Sequence, residues 1–340
     1  MSDDAPTSST REDDDWPELE HLRARARAED WLIDVASTCS LVTSLGRGSS
    51  GEAFDARYRG ARVVVKRIEI AKTELARRAF ARECSIMARL RHPNVLAFYG
   101  AALSGSRAEL VIAHAPGGTL KSWLHQDGKK KSLSERLGVA LDVARAFVYL
   151  ESRTPSVLHR DLKPSNVFLG ADGRALVADF GLARFVAASG EQLTGETGTY
   201  IYMAPEVIRS EHYDTRADVF SYGILLYELA TGIEPYQPHH STGIQIATAV
   251  ADRALRPTIP ESTHAGLSAI MEMCWQQDAH ERPSFRTVLD SMENMVPDII
   301  KEEEAKLTAR RENPTLQTKA LQNLSSTFAD WSRKISDLAS

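Results

Sequence analysis

The feature that constrains this chain most is a change of hydrophobic rhythm near residue 115. Upstream, short apolar runs broken by turn residues predict strands over 41–45, 53–58 and 62–68, a helix over 72–90, and further strands near 96–99 and 108–113. Beyond Leu120 the spacing is mostly helical, except for 157–185, where short strand-like pieces carry His, Asp, Lys and Asn. Between the two regimes lies His114-Ala115-Pro116-Gly117-Gly118. A small sheet-rich lobe joined to a larger helical one gives an α+β fold with a cleft between unlike layers, where ligands tend to bind.

The 340 residues suffice for such a two-lobed core. A formal charge of -5 lacks the basic footprint that nucleic acid or an anionic membrane would favour, which leaves small molecules and proteins as partners. Cys39, Cys84 and Cys274 are too scattered for a disulfide framework or a zinc site. The start is acidic where a secretory leader would be basic and then apolar, and no run approaches the roughly 20 apolar residues of a membrane span. The expected compartment is cytoplasmic or nuclear.

The flanks differ from the centre. Residues 1–15 are rich in Asp, Ser, Thr and Pro and are expected to form a disordered acidic tail. Residues 16–38, with Leu19, Leu22, Trp31 and Leu32 among Arg, Ala and Glu, read as a helical extension packed on the domain or as a solvated charged spacer. In the tail at 298–340, Leu321, Leu324, Phe328, Trp331, Ile335 and Leu338 fall on one helical stripe. That amphipathic helix could dock on the core, self-associate or bind a partner.

Four motifs carry chemistry. Gly46-Arg47-Gly48-Ser49-Ser50-Gly51 can bring backbone amides close to phosphate; alone it is an ordinary Gly-rich turn, and it opens a strand where a dinucleotide fingerprint opens a helix. Lys66 ends the run Val63-Val64-Val65, where an amine needs an anion unless it snorkels; Glu83 on the next helix can partner it, with Met87 one turn on. In His159-Arg160-Asp161-Leu162-Lys163-Pro164-Ser165-Asn166, Asp161 can orient a hydroxyl and accept its proton, Lys163 can neutralise a moving phosphoryl group, and Asn166 can offer oxygen to magnesium. Asp179-Phe180-Gly181 supplies a second hard oxygen ligand, and singly would be a turn.

In this order, over about 41–296, the motifs resemble those of eukaryotic protein kinases. The resemblance continues through Ala204-Pro205-Glu206, Asp218-Val219-Phe220-Ser221-Tyr222-Gly223 and Arg282-Pro283. It implies a bilobal kinase fold over 39–297: an N-lobe at 39–112 with a five-stranded antiparallel sheet and one helix, a hinge at 113–118, and a mostly helical C-lobe at 119–297. It implies ATP bound by Leu45, Gly46, Gly48, Gly51, Ala53, Val64, Lys66, Ile112, Ala113, Ala115, Phe168 and Asp179. Mg2+ would be held by Asn166 and Asp179, and catalysis would rest on Asp161, Lys163, Lys66 and Glu83. Arg160 would receive a phosphate on Thr194 or Thr197 (Ser189 being a third site), added by an upstream activating kinase or a second copy; these hydroxyls could equally be ordinary loop residues. Glu206 and Arg282 would form a buried ion pair, and Asp218 would brace the catalytic loop.

Lys163 and Thr199 match serine/threonine enzymes, and His92-Pro93-Asn94-Val95 resembles the tyrosine-kinase-like group with its Raf-like and mixed-lineage-like members. The expected activity is therefore ATP-dependent phosphorylation of protein Ser/Thr hydroxyls in signalling. The alternatives are a nucleotide-binding pseudokinase scaffold, whose usual mark is loss of Lys66, Asp161 or Asp179, and a tyrosine or dual-specificity kinase. Ala53 and Val64 depart from the family's valine and alanine; the exchange roughly conserves volume and implies a reshaped adenine pocket. Ile112, at the gatekeeper position, should restrict access behind the nucleotide.

Overall fold

The computed structural model describes residues 17–48, 51–69, 74–104, 107–125, 131–181, 183–185, 200–237 and 242–312. Met1–Asp290 form one compact unit and Ser291–Ser340 a second. In the first, helix α1 (Pro17–Ala28) and the single turn α2 (Val35–Thr38), capped by the Asp34 carboxylate accepting from the Ser37 amide, precede the sheet. Strands β1 (Cys39–Gly48), β2 (Gly51–Tyr58) and β3 (Ala61–Glu69) follow, then helix α3 (Glu74–Arg89), then β4 (Phe98–Ser104) and β5 (Arg107–Ala113).

These strands form one antiparallel sheet in the order β1-β2-β3-β5-β4, the expected α+β arrangement. Strand alternation sorts its residues. Val63 and Val65 pack with Ala56, Tyr58, Val111 and Val35 into a fully buried cluster. Val64 and Lys66 therefore point to the other face, opposite Asp55 and Ala53 on β2 and Ile112 and Leu110 on β5.

The rest of this unit is mainly helical: α4 (Leu120–His125), α5 (Leu133–Glu151), α6 (Pro205–Ile208), α7 (Arg216–Thr231), α8 (Gly243–Arg253), α9 (Ala265–Cys274) and the start of α10 (Phe285–Glu312). Between α5 and α6 lie the short strands β6 (Val157–Leu158), β7 (Val167–Leu169), β8 (Ala175–Val177) and β9 (Arg184–Phe185). They pair as β6–β9 and β7–β8. Helix α7 is buried on nearly all sides, from Ala217 to Leu229, with α5 and α9 against it; a helix apolar all round belongs in a core.

Two details correct the sequence reading. Gly46 and Gly48 lie within β1, paired with Ala53 and Gly51, rather than in a turn. The strand expected near 96–99 starts instead at Phe98. The reason is that the Leu96 amide donates to Val177 of β8, in the other lobe, before the chain joins the sheet. In the second unit α10 continues to Glu312 with Pro297 inside it. Residues 1–15 and the stripe from Leu321 to Leu338 lie outside the described residues.

Candidate active site

The β1–β2 hairpin forms one wall of the cleft. Gly51 has φ +125, and a Cβ there would sit 2.1 Å from the Arg67 carbonyl oxygen, so only glycine lets β2 approach β3 this closely. Leu45 is exposed at the rim. Ala53 lies opposite Lys66, and Val64 opposite Ile112, so adenine-pocket candidates and lysine share one face. Below, Phe168 on β7 is half-buried, and β7 is tied to the connector through Gly117 donating to Leu169 and Leu169 donating to Gly118. Ala113 donates to the Ala97 carbonyl, and the Ala115 carbonyl accepts from Gly118.

The loop after β6 carries the candidate catalytic residues. Arg160 has φ +69, a conformation a non-glycine residue holds only when its surroundings enforce it. The enforcing group is Asp218 at the start of α7, whose buried carboxylate accepts from the amides of His159 (2.7 Å) and Arg160 (2.8 Å). Burial pushes the Asp218 carboxyl above its ordinary range, opposed by His159, those two amides and Arg160. The His159 ring accepts from the Asp161 amide and bonds the Ala178 carbonyl through Nε2. Its edge meets Phe180, which is buried, at a centroid distance of 5.0 Å.

Asp161 is the centre of this arrangement. Its Oδ2 accepts from Asn166 Nδ2 at 2.7 Å and pairs with Lys163 Nζ at 2.8 Å. Its Oδ1 is buried and has no hydrogen-bond partner among the described residues. Because Asn166 Nδ2 also donates to the Asp161 carbonyl, the amide nitrogen is committed inward and the carboxamide oxygen is the atom that could serve as a ligand. The Asn166 carbonyl accepts from Ala178, which fixes this residue one step from Asp179.

Asp179 is exposed, with φ +63, and its Oδ1 accepts from the Gly181 amide at 3.4 Å. Glu83 converges on the same glycine: a Cβ at Gly181 would lie 3.3 Å from Asp179 Oδ1 and 3.6 Å from Glu83 Oε2. Burial, reinforced by the Asp179 charge and opposed by Lys66, raises the Glu83 carboxyl to about 7. Among the described ion pairs none joins Lys66 to Glu83 directly, although the Lys66 charge bears on the Glu83 carboxyl.

The outlying residues fall as follows. Glu206 and Arg282 make a two-pronged buried pair at 2.6 and 2.8 Å, with the guanidinium over the Phe220 ring. Arg160 donates to the Tyr213 hydroxyl at 2.5 Å. Ser189, Thr194, Thr197 and Thr199 lie outside the described residues.

Sequence reasoning missed a second buried network. Glu228 accepts from Tyr202 at 2.7 Å and bonds His125 at 2.9 Å, joining α7, α4 and the segment before α6. The signal was a carboxylate inside the apolar run Ile224-Leu225-Leu226-Tyr227-Glu228-Leu229. Nearby, Tyr200, Met203, Val207 and Ile244 line a surface pocket.

The family model for protein tyrosine and serine/threonine kinases matches residues 39–292. Serine/threonine-protein kinase STY46 of Arabidopsis thaliana is 36% identical over 263 residues, covering 77% of this chain and 45% of that protein. Serine/threonine-protein kinase CTR1 of the same plant is 36% identical over 261 residues, covering 76% and 31%. A probable serine/threonine-protein kinase drkC of Dictyostelium discoideum is 34% identical over 267 residues, covering 77% and 35%. The chain spans less than half the length of each of these relatives.

Proposed function

The chain belongs to the protein tyrosine and serine/threonine kinases, and from that premise we propose that it transfers the γ-phosphoryl group of ATP to serine and threonine hydroxyls of proteins. The observation that carries this reading is the divided carboxylate of Asp161, with Oδ2 held by Lys163 and Asn166 and Oδ1 buried but unpartnered among the described residues. An orphaned buried acceptor is costly in a folded protein, and a substrate hydroxyl is the donor that would satisfy it.

Asp161 Oδ1 accepts the hydroxyl proton as the oxygen attacks the γ-phosphorus and the bond to the β–γ bridging oxygen breaks, releasing ADP, while Lys163 offsets charge on the transferring group. Asn166 and Asp179 would supply two oxygen donors, the hard ligand type that suits magnesium. Magnesium, when bound there, supplies the positive charge that draws negative charge off the phosphoryl oxygens. Lys66 faces the α/β-phosphates, and Ala53, Val64, Ile112 and Phe168 enclose adenine. Alignment and fixed charge in a partly dry cleft provide most of the rate gain.

Lys163, and relatives named as serine/threonine-protein kinases, favour that hydroxyl class over tyrosine. Activation follows phosphorylation of Thr194 or Thr197 by another kinase or a second copy, drawing Arg160 from Tyr213 to the phosphate. No described helix is long and apolar enough to cross a membrane, and the proposed setting is cytoplasmic or nuclear signalling. The test is a magnesium-ATP assay on a Ser/Thr/Tyr peptide library with the chain and its Asp161→Asn variant. Phosphoserine and phosphothreonine from the parent alone support the reading; phosphotyrosine alone, or equal signal from both proteins, defeats it.

A further inference from the structure

Residues 17–38 precede the span matched by the kinase family, yet they are built into the sheet and reach the helix that carries Glu83. Leu22, Ala26 and Trp31 are buried. Leu32 bridges Ala101 of β4 in parallel, with the Ile33 amide donating to the Ala101 carbonyl at 3.0 Å and the Ala101 amide donating to the Trp31 carbonyl at 2.8 Å. Arg23 donates to the Leu103 carbonyl at 3.0 Å. Gly100 has φ +153, and a Cβ there would fall 2.7 Å from the Trp31 carbonyl oxygen and 2.8 Å from Ile33 Cγ2. A side chain at position 100 would thus collide with the segment, so β4 is shaped to receive it.

The same segment grips α3 through one carboxylate. Glu29 accepts from Trp31 Nε1 at 2.9 Å, from Arg25 Nε at 3.1 Å and from Arg89 at 2.9 Å. Arg89 is the last residue of α3, six positions beyond Glu83. Burial pushes the Glu29 carboxyl up, and its bonds from Trp31, Arg25 and Arg89 more than reverse this, so it is held below its ordinary value. We propose that Glu29 is a positioning residue: seated on Trp31 and β4, it fixes the C-terminal end of α3 through Arg89 and thereby sets where Glu83 stands in the cleft.

The lever is short enough to matter. Six residues of helix span about 9 Å, so a tilt of about 10° at the Arg89 end moves Glu83 by about 1.5 Å. Displacement of that order near a reacting centre can cost about 100-fold in rate. An isolated exposed ion pair would be too weak to hold a helix. Here the Arg89 side chain is 54% exposed but the Glu29 carboxylate only 19%, and Trp31 and Arg25 also donate to it, so two donors besides Arg89 hold it in place.

The inference rests on the kinase reading only in its nucleotide-binding and activity arms. The experiment uses the full chain with Glu29→Ala, Arg89→Ala, the double variant, Arg89→Lys, and Glu20→Ala as an exposed control on α1. Hydrogen exchange of the α3 amides and affinity for a non-hydrolysable magnesium-ATP analogue are measured beside peptide phosphorylation. Each single alanine variant should speed α3 exchange about tenfold and weaken nucleotide binding several-fold; the double variant should be no worse than either single, as expected for two residues acting as a unit. Arg89→Lys should retain most of the parent's protection, and Glu20→Ala should match the parent. Additive effects, unchanged α3 exchange, or the same changes from Glu20→Ala would overturn the proposal. A parent chain inactive on every peptide would defeat the kinase reading alone, because the exchange measurement would still decide the role of Glu29.

Discussion

The two oxygens of Asp161 sit in unlike surroundings, and a single substitution can separate them. Asp161→Asn keeps the size and one acceptor oxygen for Lys163 or Asn166 but removes the proton-accepting charge. Turnover should fall by about 100-fold to 10,000-fold with nucleotide affinity nearly unchanged, measured by peptide phosphorylation and by titration of a nucleotide analogue. Glu83 offers a pH prediction. Its folded value of about 7 exceeds its ordinary 4.5, so between these limits the folded chain binds more protons than the unfolded one. Its contribution to stability is therefore fully present below 4.5 and lost as pH rises through 7. Replacing it by Gln should leave the melting temperature nearly equal to the parent's at pH 5 and raise it above the parent's at pH 8, as followed by calorimetry; a parent advantage at pH 8 would refute this. Glu83 was legible as a cleft residue from its place after Lys66. Its proximity to Asp179 was not, because that contact joins residues far apart in sequence and depends on how α3 lies against the chain around Gly181.

At the scale of elements, α7 explains why so polar a loop can stay folded. It is a buried helix that places Asp218 in its first turn and Glu228 near its end, each filling a polar demand from a neighbouring segment. Asp218 alone satisfies two amides of a strained loop. Asp218→Asn would turn an NH2 group toward one of those donors, so it should cost about 2–4 kcal/mol and speed exchange of the His159 and Arg160 amides. Denaturant unfolding and hydrogen exchange measure the two effects; a loss below the error of the fit would show that the loop holds its own shape. The brace role of Asp218 came from resemblance alone, since nothing in its local sequence distinguishes it from an ordinary acidic residue in a helix's first turn. The Glu228 network was missed for a different reason. Its partners, Tyr202 and His125, come from two other elements, and periodicity within one helix carries no information about either.

For the molecule as a whole, the question is what makes two lobes of different architecture behave as one unit, as Met1–Asp290 do. The connector at 114–118 is short, and the firmer link runs elsewhere. The Val177 amide donates to the Asn94 carbonyl, the Leu96 amide donates to the Val177 carbonyl, and buried Asn94 Nδ2 donates to the Ala175 carbonyl at 3.0 Å. These bonds stitch the chain leading into β4 to β8, immediately before Asp179. The sequence displayed Asn94 within His92-Pro93-Asn94-Val95 as a family likeness, but the strand pattern near 96–99 carries no information about a bond to β8 across the lobe boundary. The backbone bonds would survive Asn94→Ala, while the side-chain bond would not. The variant should lose about 1–2 kcal/mol, which for a chain of this size lowers the melting temperature by a few degrees. It should also weaken nucleotide binding, because Asp179 lies just beyond the stitched strand and Lys66 on the far side of it. If the bonds couple the lobes, scanning calorimetry of the parent gives one transition, and that of the variant remains single or broadens toward two. A variant that melted like the parent and bound nucleotide equally well would put the coupling in the 114–118 connector instead.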